Sequence, residues 1–343
     1  MTAQSVTVVI PSYNHGRYIA ATLGSVFSQT LPPQELHVID DGSTDDSVRV
    51  IDHAFSEYSG PIRCRLTVRD NRGISATRND LAAATTTDCV AFLDSDDLYA
   101  PQRLERMLPA APPGGPWFAF SGLDFLCDDD IASNPDTLAD WHEVYRLKLG
   151  QGLSFPTAGF ALLRSNIAIS ASNFVVNRSL LDAVGGFDDR ISICQDWDFA
   201  VAALRFAEPT FVPQPLLTYR IHAHNTSRDA GKTATHEIDL VVDKFCRWLL
   251  ETSANPLAPT PRNWPHYFRI FAHLSTSAAG RSLASRLPPD ILAAAVSPSA
   301  AATSGETAAI RSLIAAARSP EEFAPMPWSE LMLRCHHAWS GSS

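Results

Sequence analysis

The chain has 343 residues, of which 45% are hydrophobic and 19% charged, with a formal net charge of −10 at neutral pH. These proportions are ordinary for a globular protein, and the length allows one large α/β domain with an appendage, since single cores stop growing near about 250–300 residues. The negative charge argues against nucleic acid as a partner, because that binding rests on Lys and Arg contacts to phosphate; any nucleotide here should be a small ligand held locally.

The six cysteines, Cys64, Cys89, Cys127, Cys194, Cys246 and Cys335, contain no C-x-x-C pair, so neither a zinc site nor a disulfide framework is expected. No apolar run approaches the length of a membrane span, and the polar start Met1–Ser5 lacks the basic and apolar blocks of a signal peptide. A cytoplasmic protein is expected, with peripheral membrane association left open.

From Val6 to about Leu108 short apolar runs alternate with helical patterns, the signature of βαβ units and a largely parallel sheet. The first strand, Val6–Ile10, ends in Pro11-Ser12-Tyr13-Asn14, and the helix after it places Ile19, Leu23, Val26 and Phe27 on one face. A second strand, Leu36–Ile39, runs into Asp40-Asp41-Gly42-Ser43-Thr44-Asp45, where Thr44 is a candidate N-cap for a helix burying Val48, Ile51 and Phe55. A third strand over 62–68 leads to Asn71-Arg72-Gly73 and a helix carrying Arg78. Both arginines are expected to reach one cleft.

The fourth strand carries the strongest signal. Val90-Ala91-Phe92-Leu93 opens directly onto Asp94-Ser95-Asp96-Asp97. Carboxylates this close repel one another unless a divalent cation sits among them, and Mg²⁺ or Mn²⁺ is what one or two carboxylates plus a substrate diphosphate hold. A solvated acidic turn is the plain alternative. In open parallel sheets ligands bind beyond the carboxyl ends of the strands, so the acids after the second and fourth strands would face one cleft.

Pro101 starts a helix with Leu104, Met107 and Leu108 inward, and the Pro/Gly-rich stretch 110–116 marks a linker or insertion. A strand over 117–126, an acidic loop at 128–130, a helix over 138–149 and a strand over 172–176 follow. A short helix closed by Gly185-Gly186 comes next, then Gln195-Asp196-Trp197-Asp198 at the start of a helix with Phe199, Ala203 and Phe206 inward. Beyond about Arg228 the chain turns Ala-, Ser- and Pro-rich, with helical patterns over 236–251 and 306–318.

The phrases Val9–Asn14, Ile39–Asp45, Asn71–Asn79, Phe92–Asp97, Gly185–Asp188, Gln195–Asp198 and Tyr219–His222, in that order, resemble the family 2 glycosyltransferases over roughly residues 5–225. The resemblance implies a single mostly parallel central sheet flanked by helices, of the GT-A type with a Rossmann-like nucleotide-binding half. Residues 1–225 would form the catalytic domain, with 5–110 the nucleotide-sugar half and 116–225 the acceptor half, and 226–343 a mainly helical C-terminal appendage. It also implies an inverting transfer from a nucleotide-diphospho-sugar, UDP-linked most commonly, to a glycan, lipid-linked or other hydroxyl acceptor in polysaccharide or glycoconjugate synthesis. Pro11 and Tyr13 would border the base and Asp41 would accept from the base or ribose. Arg78 and Arg72 would face the diphosphate or sugar, with Asp94 supporting the acidic turn. Asp96 and Asp97 would hold Mn²⁺ or Mg²⁺ and the ribose, with His222 as a further ligand, and Asp196 would be the catalytic base. The family commonly places Glu before that base, where this chain has Gln195.

Two other readings stay open. A D-x-D phosphotransferase or phosphatase would use Asp94 as nucleophile, though Leu98 rather than Thr or Val follows Asp97. A non-catalytic nucleotide-sugar-binding module would have no need of Asp196.

Overall fold

The computed structural model describes residues 4–111, 114–128, 136–153, 157–223, 225, 236–238, 240–241 and 244. The expected C-terminal appendage, including the 306–318 helix and most of the 236–251 helix, lies outside the described residues, as do Asp129, Asp130 and His224.

Eight strands form one sheet: β1 (Val6–Ser12), β2 (Glu35–Asp40), β3 (Arg63–Val68), β4 (Cys89–Phe92), β5 (Leu98–Tyr99), β6 (Phe118–Cys127), β7 (Val175–Asn177) and β8 (Thr210–Ile221). Their order is β3-β2-β1-β4-β7-β6-β8-β5. The first four are mutually parallel, β7 runs antiparallel to both its neighbours, β6 and β8 are parallel, and β5 closes the far edge antiparallel to β8. The sheet is mostly parallel and helix-flanked, as expected, and strands from both sides of the 110–116 linker share it.

Alternation along the strands explains the layers. Val9, Val90, Phe92, Phe118, Phe120 and Val176 face one cluster, while Val8, Ile10, Cys89, Ala91, Ala119 and Val175 face the other. Each fully buried large apolar side chain contributes about 1.5–3 kcal/mol relative to exposure. On the first face lie α3 (Ile74–Ala83), α6 (Ala158–Arg164), α7 (Arg178–Val184) and α8 (Gln195–Ala203). On the second lie α1 (Ile19–Phe27), α2 (Ser47–Glu57), α4 (Arg103–Met107) and α5 (Asp136–Leu153). Ile19, Leu23, Val26, Ile51, Leu104, Met107 and Leu108 are buried as their spacing predicts, and Gly185, at φ +80°, ends α7 in the left-handed conformation.

Three expectations are corrected. Helix α2 starts at Ser47 with Asp46 at its N-cap, because Thr44 donates its N–H to Asn14 Oδ1 (2.8 Å) and the turn before the helix is tied to the first loop instead. Residues 171–173 form a 3₁₀ turn, so the strand over 172–176 shortens to β7. Phe206 lies beyond the end of α8 and is 36% exposed. No described helix is long and apolar enough to cross a membrane.

Candidate active site

The site is assembled at the carboxyl ends of β1, β2 and β4. The loop after β1 is stitched to the turn after β2: Asn14 N–H donates to Ser43 Oγ (2.8 Å) and Gly16 N–H to Asp45 Oδ2 (2.9 Å). Asp40 serves its own turn, accepting from Ser43 N–H (2.9 Å), Ser43 Oγ (2.6 Å) and Ser12 Oγ (3.2 Å). Asp41 is buried and accepts from Arg69 Nε (2.9 Å) and from the N–H groups of Arg72 (3.0 Å) and Gly73 (2.8 Å), which moors the loop before α3. Gly42, at φ +83°, is the residue that permits this: a Cβ there would sit 2.9 Å from Asn71 N. Pro11 is buried within β1, while Tyr13, the first residue past that strand, is 48% exposed.

The acidic turn after β4 points its carboxylates to different places. Asp94 has both oxygens engaged, Oδ1 by Arg78 Nη2 (2.6 Å) and Oδ2 by Ser170 Oγ (3.0 Å). That makes it a fixed acceptor and speaks against a free nucleophile. Asp96 Oδ2 is hydrogen-bonded to His222 Nε2 (2.9 Å), and His15 Nδ1 to Ser95 Oγ (2.7 Å). Burial pushes Asp96 upward, but the His222 hydrogen bond and the nearby imidazoles outweigh it and hold the carboxyl below its ordinary value. Asp97 turns inward, its Oδ1 accepting from Arg220 N–H (3.0 Å) and its Oδ2 buried without a hydrogen-bond partner. Burial, then the charges of Asp96 and Asp94, push the Asp97 carboxyl well up.

His15, Asp96 and His222 each offer one ligand atom, and these atoms lie within 4.8 Å of one another. A carboxylate with two imidazoles is a donor set that could hold a divalent ion. Asp97 stands outside this cluster: its Oδ1 accepts from Arg220 N–H at the end of β8, and its Oδ2 is buried.

The opposite side of the site is built from α3, α8 and the 166–173 turn. Arg78 is 2% exposed, and its Nε and Nη1 have no hydrogen-bond partner, so the guanidinium is held by Asp94 with donors to spare. Arg72 takes another direction: it is exposed and pairs with Asp80 Oδ2 (2.8 Å) on α3. Asp196, half-buried at the start of α8, accepts from Asn166 Nδ2 (3.0 Å) at Oδ2 and from Trp197 N–H (2.7 Å) at Oδ1. Burial raises its carboxyl to about 6, against the lowering effect of Arg78, and Asp94 adds to the rise. The same Asn166 clasps Ile169, taking its N–H (3.1 Å) and donating to its carbonyl (3.3 Å). Ile169 has φ +69°, a genuine outlier for a β-branched residue, and it places Ser170 against Asp94.

His15 lies one residue beyond the Val9–Asn14 phrase, and its place just past the end of the first strand is the local signal for it. Asn166 and Ser170 carry no such signal, and Arg220 lies inside the Tyr219–His222 phrase, which does not disclose its partner. Their roles come from contacts across 30 to 124 residues.

Residues 7–170 match the family model described as glycosyl transferase family 2. An uncharacterized glycosyltransferase of Nostoc sp. is 36% identical over 166 residues, covering 46% of this chain and 51% of that protein. The putative teichuronic acid biosynthesis glycosyltransferase TuaG of Bacillus subtilis is 33% identical over 124 residues, covering 36% and 48%. The matched segment thus spans about half the length of each of these relatives. Among solved structures, S. aureus TarS 1–349 in complex with UDP-GlcNAc aligns over 98% of this chain and 92% of its own, with a TM-score of 0.60 at 14% identity. The mannosyltransferase PcManGT from Pyrobaculum calidifontis, in complex with GDP-Man and Mn²⁺, aligns over 100% and 87%, with a TM-score of 0.52 at 16% identity. At these identities the two structures speak to the fold, which is of the GT-A type.

Proposed function

Residues 7–170 belong to glycosyl transferase family 2, and on that premise we propose that this protein moves a glycosyl group from a nucleotide-diphospho-sugar to a hydroxyl acceptor, inverting the anomeric carbon. The observation that carries the reading is the convergence on Arg78. A buried guanidinium with unpartnered donors stands beside Asp94, within the electrostatic reach of Asp196, a carboxyl that burial raises to about 6 on a different helix. An anion-binding group next to a general base is what displacement of a diphosphate needs.

In this reading the base and ribose occupy the end lined by Pro11, Tyr13 and Asp41, and the diphosphate faces Arg78. Asp196 takes the proton of the acceptor hydroxyl as its oxygen attacks the anomeric carbon from the face opposite the diphosphate, and the carbon–diphosphate bond breaks. A divalent ion held by Asp96, His222 and His15 would supply Lewis-acid neutralisation of the leaving diphosphate. Mn²⁺, the ion in the PcManGT complex, is the proposed one. TarS with UDP-GlcNAc and PcManGT with GDP-Man suggest the donor class, and we place a UDP-sugar first. The teichuronic acid assignment of TuaG points to an acceptor in polysaccharide or glycoconjugate synthesis.

A thermal-shift screen of UDP-, GDP- and TDP-sugars with and without Mn²⁺, followed by release of nucleoside diphosphate, tests the proposal. Stabilisation by one donor that requires Mn²⁺, and turnover of that donor, are expected; a protein that binds a donor and never turns it over is a binding module. Asp96→Ala and His222→Ala should abolish the Mn²⁺-dependent part of the shift and leave the metal-free part intact. Equal loss in both conditions would place these residues on the nucleotide itself.

Arg78→Ala should weaken the bare nucleoside diphosphate roughly 10- to 100-fold, the worth of one or two charge-assisted hydrogen bonds. Calorimetry with UDP and GDP measures this, and unchanged affinity for both would remove Arg78 from the diphosphate site.

A further inference from the structure

Helix α8 carries Asp196 in its first turn, yet Cys194 at its N-cap makes no side-chain capping bond. The amides leading into the helix are served from elsewhere. Glu237, 4% exposed on the short helical segment that follows β8, accepts four hydrogen bonds from three consecutive residues. Its Oε1 takes Ser192 N–H (2.9 Å) and Ser192 Oγ (2.7 Å), and its Oε2 takes the N–H groups of Ile193 (2.7 Å) and Cys194 (2.9 Å).

We infer that Glu237 is a positioning residue for the base: by gripping the backbone of residues 192–194 it sets where α8 begins and therefore where the Asp196 carboxyl lies. The inference rests on the reading of Asp196 as the base and adds to it a residue outside the family match, which ends at 170. Both carboxylate oxygens are required, since each holds two donors, and bonds to an ionised acceptor at a helix N-terminus are the strong kind. A second anchor holds the same segment in place: Lys244 Nζ reaches Asp188 Oδ2 (2.5 Å) and Asp198 Oδ1 (2.8 Å), the latter two residues beyond Asp196 on α8. The segment after β8 thus grips α8 at its entry and again one position past Trp197.

Glu237→Gln separates this role from packing. Glutamine keeps the volume but has one acceptor oxygen, and whichever way the amide turns its NH₂ would face at least one N–H donor, that of Ser192 or those of Ile193 and Cys194. With the donor identified by the screen above, Glu237→Gln should lower kcat on the order of 10²-fold, the penalty for displacing a catalytic group by about 1 Å, while the donor KM is unchanged. Amide exchange at 192–194 should accelerate in the same variant. Wild-type kcat, or equal loss in kcat and donor affinity, would overturn the inference. Should Glu237→Gln melt below assay temperature, Ser192→Ala carries the test: it removes one of the four bonds and adds no donor. A severalfold fall in kcat at unchanged donor KM supports the clamp, and wild-type kcat overturns it. If instead Asp196→Asn retains turnover, the base assignment fails, and faster exchange in Glu237→Gln would then mark a clamp on a non-catalytic helix.

Discussion

Asp196→Asn should lower turnover by roughly 10²- to 10⁴-fold, the usual contribution of a general base, while donor affinity and thermal stability stay at wild-type levels. Asparagine keeps the oxygen that receives Trp197 N–H (2.7 Å) and gives up only the acceptor of Asn166 Nδ2 (3.0 Å), so a structural role alone would leave turnover almost intact. The pH profile supplies a second, independent sign. Burial raises the carboxyl to about 6, opposed by Arg78 and by the hydrogen bonds from Trp197 and Asn166 and assisted by Asp94. A base works in its ionised form, so kcat should fall in proportion to the ionised fraction as pH drops through about 6 and level off above it. The asparagine variant should lose that limb. Single-turnover rates between pH 5 and 8 on both proteins decide the matter, and a wild-type-like limb in the variant would assign it to another group.

Arg103→Met should destabilise the fold by about 3–5 kcal/mol, the cost of taking away one side of a buried polar network and leaving the other side uncompensated. Arg103 is fully buried at the start of α4 beneath the acidic turn. Its Nη1 donates to Ser121 Oγ (2.9 Å), its Nη2 to the Ser172 carbonyl (3.2 Å), and both reach Asn173 Oδ1 (3.3 Å); the guanidinium carbon lies 4.5 Å from the centre of the Tyr99 ring. Methionine fills much of the volume but strands those acceptors and removes the cation whose field offsets Asp97, itself buried with an unpartnered oxygen. Urea denaturation checks the magnitude. Arg103→Lys should fall between the two, keeping the charge and losing the planar fork. A loss below about 1 kcal/mol for Arg103→Met would mean the network relaxes around the gap.

These two residues mark opposite ends of what a sequence can disclose. Asp196 stood in a recognisable phrase, Gln195-Asp196-Trp197-Asp198, at the head of an amphipathic helix. Arg103 sat in a plain helical stretch behind Pro101 and offered no sign of burial, because its partners Ser121, Ser172 and Asn173 come from 18 to 70 residues away.

The parts that follow from local chemistry were determined by the sequence itself. Short apolar runs ending in acids specified the strands and the end of the sheet at which polar groups gather, and 3.6-residue spacing specified the inward faces of α1 and α4. Left-handed glycine specified the end of α7. The tertiary structure decided which acid does what. Asp94, Asp96 and Asp97 are near neighbours in sequence, but Arg78 and Ser170 take the first, His222 the second and the backbone of Arg220 the third. It likewise separated Arg72, paired with Asp80, from Arg78, paired with Asp94, and brought His15 and His222 to Asp96 across 81 and 126 residues. The physical reason is the range of the forces. Backbone periodicity and turn chemistry act over a few residues and leave their mark on the string of letters, whereas a carboxylate's partner is set by whichever strand end the sheet order places beside it.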